Sequence, residues 1–407
     1  MTASPRVEVL TFGCRLNIVE SEAMRREALA SGHDDLTIIN TCAVTAEAVR
    51  QSRQAVRRSR ALHPGGRLLV TGCAAEVDRA GFAALPGVDG ILPNATKTTR
   101  AAWADHAVGS LLPSTSHPGD IGHTRGFVEV QNGCDHRCTF CVIPMGRGAS
   151  RSVPPADVVA RIRGLAGAGV KEVVLTGVDT TSYGGDLGAG TTLGSLVLRI
   201  LRDVPELPRL RLSSLDCIEA DPLLLDAIGS EPRLMPHLHV SLQSGSDLIL
   251  KRMKRRHGRR DALAFCAQLR RRRPDIVFGA DLIAGFPTED ESMFAETLDL
   301  IDGCGITHVH AFPYSPRPGT PAARMPQVAP AVARERGRRL RAAGDRRLAG
   351  HLDALVGKCV EVLTEKGGKG RAADFTLVRL PDGTGPGLLQ PVLVTGHDGR
   401  SLMGHAV

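Results

Sequence analysis

Three cysteines recur at one place in three successive strand–helix units, and this phasing constrains the fold more than anything else in the chain. Cys14, Cys42 and Cys73 lie 28 and 31 residues apart, and each follows a short apolar run, at 7–12, 36–40 and 67–71. Helical stretches at 20–29 and 46–62 separate the runs, and 88–92 offers a fourth strand. A βαβαβ order predicts a parallel sheet with right-handed crossovers. The C-terminal ends of parallel strands share one edge, where ligands collect. Three thiols far apart in sequence are thereby expected to converge on one spot as a metal site. Three separate buried structural thiols are the alternative.

From Gly126 the rhythm resumes. Apolar runs at 127–131, 172–175, 209–212, 237–241, 276–283 and 307–312 read as six parallel strands, with helices such as 156–165 and 293–301 between them. Six βα units predict a partial barrel whose active face lies at the C-terminal strand ends. The first strand runs straight into Cys134, Cys138 and Cys141, spaced C-x3-C-x2-C. Thiolates are the ligands that iron–sulfur clusters take. Three of them on four irons leave one iron open for substrate chemistry. Structural zinc, the alternative, takes four ligands, usually as paired C-x2-C units. No fourth cysteine is near in sequence, and His136 is crowded between two of the three.

The rest of the chain divides by its punctuation. Residues 1–105 form the N-terminal α/β domain, and 106–123 lose periodicity and read as a linker. The barrel spans 124–352, ending in a basic helix at 331–350. Residues 353–407 form a small all-β module with strands at 358–363, 375–379 and 392–395. No stretch reaches the ~20 apolar residues of a membrane helix. The first ten residues do not read as a secretory signal. A cytoplasmic protein without membrane contact is expected, and in that compartment a disulfide framework among the ten cysteines is not. The net charge of +8 suits a polyanionic partner. Aromatic residues make up only 3%, which favours arginine–phosphate contact over base stacking. The runs 251–260 and 270–273 are candidate patches, or simply solvated charge.

The cysteine loop resembles that of radical S-adenosylmethionine enzymes, and the whole chain is similar to their methylthiotransferase family. The resemblance rests on Thr11-Phe12-Gly13-Cys14-Arg15-Leu16-Asn17 with Glu20 and Glu22, on Asn40-Thr41-Cys42-Ala43-Val44-Thr45, and on Thr71-Gly72-Cys73-Ala74-Ala75-Glu76. It continues in Cys138-Thr139-Phe140-Cys141-Val142-Ile143-Pro144, in Arg147 to Ser152, in Ala280 to Pro287, and in Phe312 to Thr320. The tail is similar to a TRAM domain, an RNA-binding β module, with Phe375-Thr376 where many relatives carry a tyrosine-bearing strand. The resemblance implies two 4Fe–4S clusters, one on Cys134, Cys138 and Cys141 and one on Cys14, Cys42 and Cys73. It also implies S-adenosylmethionine as source of both a radical and a methyl group, and conversion of C–H to C–S–CH3. Of the family's branches, the first two motifs look most like the one acting on threonylcarbamoyladenosine in tRNA. Isopentenyladenosine in tRNA and a ribosomal-protein aspartate are the alternatives.

Further roles follow from that reading. Phe140 is expected by the adenine of the cofactor or as a loop anchor. Gly177 is expected beside the methionine amino group or as a turn glycine. Gln243 would bond cofactor or substrate, or stabilise a turn. Arg147 and Arg151 would meet RNA phosphate. Expected partners are tRNA, an electron donor such as flavodoxin or ferredoxin, and a sulfur donor. A non-enzymatic alternative is a zinc-stabilised RNA-binding protein with histidines completing both triads.

Overall fold

A computed structural model describes residues 6–104 and 124–407; the expected linker at 106–123 lies outside them. Among the described residues no helix is long and apolar enough to cross a membrane. The chain forms two compact units. The first joins residues 6–104 with Asn132–Arg151 and Ser315–Thr320, and the second holds 124–131, Ser152–Tyr314 and Pro321–Val407. Contact density therefore groups the Cys134 loop with the N-terminal sheet, whereas the sequence punctuation grouped it with the barrel.

In the first unit, β1 (Arg6–Thr11), β2 (Asp35–Thr41), β3 (Arg67–Gly72) and β4 (Gly90–Ile91) form a parallel sheet in that order. Helix α1 (Arg15–Ala30) and α2 (Ala46–Leu62) make the crossovers, as expected. Strand β2 is buried from Leu36 to Thr41, with Ile38 and Ile39 facing opposite core clusters. That two-sided burial is why it reads as a continuous apolar run.

In the second unit the six-strand barrel is present but broken. Strands β5 (Gly126–Glu129), β6 (Glu172–Thr176) and β7 (Arg209–Leu212) form one parallel sheet. Strands β8 (Ser214–Leu215), β9 (His237–Gln243), β10 (Val277–Ala284) and β11 (Ile306–Pro313) form another. The ladder is interrupted at Ser213, where the chain passes from β7 to β8. Alternate residues such as Val240, Leu242, Ala280 and Leu282 face the helical layer and its core, which includes Phe265, Phe294 and Leu300. Their neighbours face the concave side.

The last residues close into a five-stranded barrel of β12 (Cys359–Glu365), β13 (Lys369–Ala372), β14 (Leu377–Arg379), β15 (Leu389–His397) and β16 (Leu402–Ala406). Closure leaves no open sheet edge. Two of these strands, β13 and β16, escaped the sequence reading because each is four or five residues beside glycine-rich turns. Strand β14 starts two residues later than expected. Phe375 has φ of 72°, which a strand cannot accommodate. Its ring stacks on His237 at 5.1 Å, and the guanidinium carbons of Arg371 and Arg211 lie 4.6 and 4.9 Å from its centre. Phe375 is thus a plug in the N-terminal end of the barrel.

Beneath that plug, Glu172 is fully buried and accepts hydrogen bonds from Arg125 at 2.6 Å and Arg211 at 2.9 and 3.2 Å, with Arg209 at 3.6 Å. Burial alone would raise its pKa, but Arg211, Arg125 and Arg209 outweigh it and hold the carboxyl down at about 2. A carboxylate depressed in the folded state stabilises the fold fully above its unfolded pKa of about 4.3. That contribution is lost as pH falls from there towards the folded value. Glu172→Gln is expected to destabilise the second unit by about 3–5 kcal/mol, because three arginines lose their buried counter-charge. Denaturant melts at pH 7 test this, and the wild type should weaken between pH 4.3 and 2 with a steeper slope than the variant. A variant within about 0.5 kcal/mol of wild type would refute the role.

Candidate functional site

Each cysteine of the first triad sits at a strand end, as the phasing predicts. Cys14 caps α1 in extended backbone, with φ −93° and ψ 175°. Cys73 opens a short helix, α3 (Cys73–Val77), directly after β3. Two glycines permit the approach. A Cβ on Gly13, at φ +107°, would fall 2.7 Å from Cys42 Cβ and 2.9 Å from its Sγ. A Cβ on Gly72, at φ +95°, would fall 2.4 Å from the Thr41 carbonyl oxygen. Only glycine fits either position. Buried amides fix the strand ends. Asn17 Nδ2 donates to the carbonyls of Phe12 at 2.7 Å and Thr41 at 3.2 Å, and Asn40 Nδ2 donates to Asn17 O at 3.0 Å. Burial, with the nearby thiols of Cys73 and Cys14 adding to it, pushes Cys42 up to about 11.

The second triad lies in the same compact unit. Cys134 N donates to Gly148 O at 3.1 Å, Cys141 N donates to Cys138 O at 3.1 Å, and Ile143 N donates to Cys141 Sγ at 3.4 Å. The helix that follows, α4 (Ile143–Arg147), packs against α3. One residue that sequence reasoning missed links the two: Asn94 Nδ2 reaches Cys73 Sγ at 3.8 Å and donates to Gly146 O. A Cβ on Gly146 would lie 3.2 Å from that of Cys73.

Arg147 requires a correction. It is only 6% exposed. Its guanidinium donates to Glu20 at 2.7 and 3.0 Å, to Asn17 Oδ1 at 2.6 Å and to Asn132 Oδ1 at 2.9 Å. Both terminal nitrogens are thus engaged inside the protein, and the buried guanidinium is not presented to RNA phosphate in this structure. Lys97 Nζ, fully buried, completes the network at 2.6 Å from Glu20. Burial lowers Lys97 despite Glu20, whereas at Arg147 the pull of Glu20 outweighs burial and raises it; Glu20 itself is held below the usual carboxylate range by Lys97 and Arg147 against its burial.

The residues present fit iron–sulfur clusters. All six cysteines are free thiols. Amide donors already point at Sγ of Cys73 and Cys141, as sulfur ligands of a cluster require. Arg317 is buried with Nε unpartnered among the described residues; burial lowers its pKa, and Cys42 only partly opposes that. A buried guanidinium N–H without a partner among the described residues marks a place for an acceptor or an anionic group. Together with Lys97 and Arg147, it favours the net negative charge that three thiolates bring.

The remaining expected residues are dispersed. Phe140 is half-buried between two cysteines. The space a Gly177 side chain would need is taken by Gln131, whose carbonyl oxygen would lie 2.8 Å from a Cβ there. Gln131 Oε1 accepts from the amides of Val178 and Asp179 at 3.1 and 2.8 Å. Gln243 ends β9 at φ 66°, a left-handed conformation rare for glutamine. Such strain collects at ligand sites. Arg151 is exposed and, among the described residues, donates to the backbone carbonyls of Ala149 at 3.2 Å and Arg147 at 3.4 Å. The two basic runs are largely absorbed by the fold. Arg255 pairs with Asp216 at 2.9 Å, Arg256 with Glu219, Arg272 with Asp226 at 2.6 Å, and Arg273 donates to Leu234 O at 2.6 Å. In the basic helix, α5 (Pro330–Asp353), Arg336 pairs with Glu289 at 2.9 Å and Arg339 with Glu291 at 2.6 Å.

Arg151→Ala is therefore expected to weaken RNA binding and lower the salt slope by about 1, whereas Arg147→Met leaves the slope unchanged and costs about 3–5 kcal/mol of stability. Affinity against salt concentration and denaturant melts separate the two; an unchanged slope for Arg151→Ala would remove it from the interface.

Comparison with known proteins agrees with this geometry. Residues 128–301 match the radical SAM superfamily, and residues 6–92 match the uncharacterized protein family UPF0004. The chain is 44% identical to the threonylcarbamoyladenosine tRNA methylthiotransferase MtaB of Rickettsia prowazekii, over 92% of this chain and 91% of that one. It is 32% identical to the protein of the same name from Bacillus subtilis, over 88% and 84%. It is 34% identical to a tRNA-2-methylthio-N(6)-dimethylallyladenosine synthase of Cereibacter sphaeroides, over 99% of both. In fold it is similar to the radical S-adenosylmethionine methyltransferase TsrM of Kitasatospora setae, with a TM-score of 0.54 and 15% identity over 74% of this chain and 68% of that one. The chain belongs to the radical S-adenosylmethionine methylthiotransferases, enzymes that use a 4Fe–4S cluster and S-adenosylmethionine.

Proposed function

We propose that this enzyme methylthiolates C2 of N6-threonylcarbamoyladenosine at position 37 of tRNA, with two 4Fe–4S clusters. Radical SAM chemistry and the tRNA methylthiotransferase relatives support tRNA as substrate. The specificity for which the Rickettsia prowazekii and Bacillus subtilis relatives are named supports the threonylcarbamoyl form. The Cereibacter sphaeroides relative supports a second reading, an N6-dimethylallyl (isopentenyl) substrate.

The observation that carries the two-cluster reading is the placement of both cysteine triads in one compact unit, with Asn94 between Cys73 and the segment after Cys141. Cys134, Cys138 and Cys141 would hold one cluster and Cys14, Cys42 and Cys73 the other. When bound, the clusters supply the electron that cleaves S-adenosylmethionine and the iron site at which sulfur is handled. The chain's own residues hold these groups in place. Gly13 and Gly72 let the strand ends close on the triad. Asn94 and the Ile143 amide direct hydrogen bonds at sulfur. Arg317, Lys97 and Arg147 balance negative charge. Gln243 is placed to bond cofactor or substrate, with Phe140 and Gly177 as further cofactor contacts, and Arg151 is free to meet phosphate. An electron donor such as flavodoxin or ferredoxin and a sulfur donor complete the scheme, in the cytoplasm.

Iron, labile sulfide and zinc content of anaerobically reconstituted protein test the proposal. About eight irons are expected, falling to about four in either triple Cys→Ala variant, followed by mass analysis of tRNA nucleosides. Four irons in the wild type would reduce the scheme to one cluster. Stoichiometric zinc without iron uptake would favour a zinc-stabilised RNA-binding protein.

A further inference from the structure

Three polar side chains meet on the concave side of the second barrel sheet. His239 on β9, Asp281 on β10 and His310 on β11 come from adjacent parallel strands, with Asp281 paired in register to His310. Asp281 Oδ1 lies 3.0 Å from His239 Nε2 and 3.4 Å from His310 Nδ1. The imidazoles are 4.9 Å apart. Their strand neighbours Val240, Ala280 and Leu282 belong to the core beneath the helices, so these three face the other way.

Their exposure separates them from the layer below. One residue pair nearer the N-terminal strand ends, His237 is buried and His308 half-buried; their rings meet edge to face with centroids 5.5 Å apart, and Phe375 stacks on His237. Burial pushes His308 down to about 4, which keeps it neutral. Moving towards the C-terminal ends the face opens: the side chain of His239 is 13% exposed, Asp281 31% and His310 58%. Ligands enter βα barrels from that end. The fold has no packing need for a carboxylate with two imidazoles at an opening.

Asp281 fixes the chemistry on offer. By accepting from His239 Nε2 and His310 Nδ1 it sets both tautomers and leaves His310 Nε2 directed away from it. Oδ2 and the outer ring nitrogens then present acceptors to hydroxyl or N–H donors. An imidazolium held by Asp281 presents a donor to a carboxylate. A hydrocarbon chain pressed here would strip water from three polar groups and return no hydrogen bond.

We propose that His239, Asp281 and His310 form the subsite that reads a polar substituent on N6 of the target adenosine: a group bearing hydroxyl, ureido N–H and carboxylate. This rests on the threonylcarbamoyladenosine reading above and identifies the residues that enforce it.

The test uses full-length protein and anticodon stem-loops whose A37 carries threonylcarbamoyl, isopentenyl or no substituent, with affinity measured by fluorescence anisotropy. Wild type should favour the threonylcarbamoyl loop over the unmodified one by about tenfold or more, the size expected from one or two buried hydrogen bonds. His310→Gln and Asp281→Asn should each bring that preference within about threefold while leaving affinity for the unmodified loop unchanged. Unaltered unmodified-loop binding also shows that both variants are folded. If wild type has the preference and both variants keep it, the subsite is overturned and the substrate reading stands. If wild type ranks the isopentenyl loop first, the substrate reading falls and the subsite with it. Zinc retained by wild type but lost in Asp281→Asn would also overturn the subsite, by giving these groups a different ligand.

Discussion

The Glu20 carboxylate is the anchor on which the cysteine-bearing unit depends. It lies on α1, 3% exposed, and takes Lys97 at 2.6 Å and Arg147 at 2.7 and 3.0 Å. Arg147 belongs to the segment after the Cys134 loop and Lys97 to the segment after β4. One buried acid therefore ties the first sheet, its last connection and the second cysteine loop together. A buried ion pair of this kind is weak evidence for net stability, because desolvation offsets much of the attraction. Its value is in specificity: three charged groups can be buried only if all three arrive, so the loop has one permitted position. The network carries two positive charges against one negative, and Arg317 adds another close to Cys42. A surplus of positive charge suits thiolates.

The second unit repeats the device around Glu172. There three arginines converge on one fully buried acid, and Phe375 of the small barrel covers them. Arg209 also donates to the carbonyl and carboxylate of Glu361 at 2.7 and 2.8 Å. The C-terminal module is thus fastened to the N-terminal end of the βα barrel by charge and by one aromatic ring. That polarity separates a floor, where His237 packs between Phe375 and His308, from a more accessible layer, where Asp281 holds two imidazoles.

Much of this was legible in sequence because periodic signals have local causes. A strand buried on both sides must be a continuous apolar run; such runs placed β1 to β3, β5 to β7 and β9 to β11 within a few residues, while the two-residue β8 was missed. A cysteine just past each of three parallel strands must reach one sheet edge. Short strands beside glycine turns carry too few residues to show a period, so β13 and β16 were missed. Arg147 was misassigned for a related reason. An arginine next to a cluster loop looks the same in sequence whether it faces phosphate or an acid 127 positions away.

The sequence by itself determined the parallel α/β order, the partial barrel, the all-β tail and the six cysteines in two triads, since each is written in spacing that local geometry enforces. Only the tertiary structure decided which charges are spent. It buried Arg147 and Lys97 on Glu20, absorbed most of the basic runs into ion pairs, turned Phe375 inward and left Arg151 exposed. It also grouped the Cys134 loop with the N-terminal sheet and brought His239, Asp281 and His310 together from three strands. The reason is physical: a long polar side chain pays little locally for either direction, and its partner is chosen by which distant group the fold carries within about 3 Å.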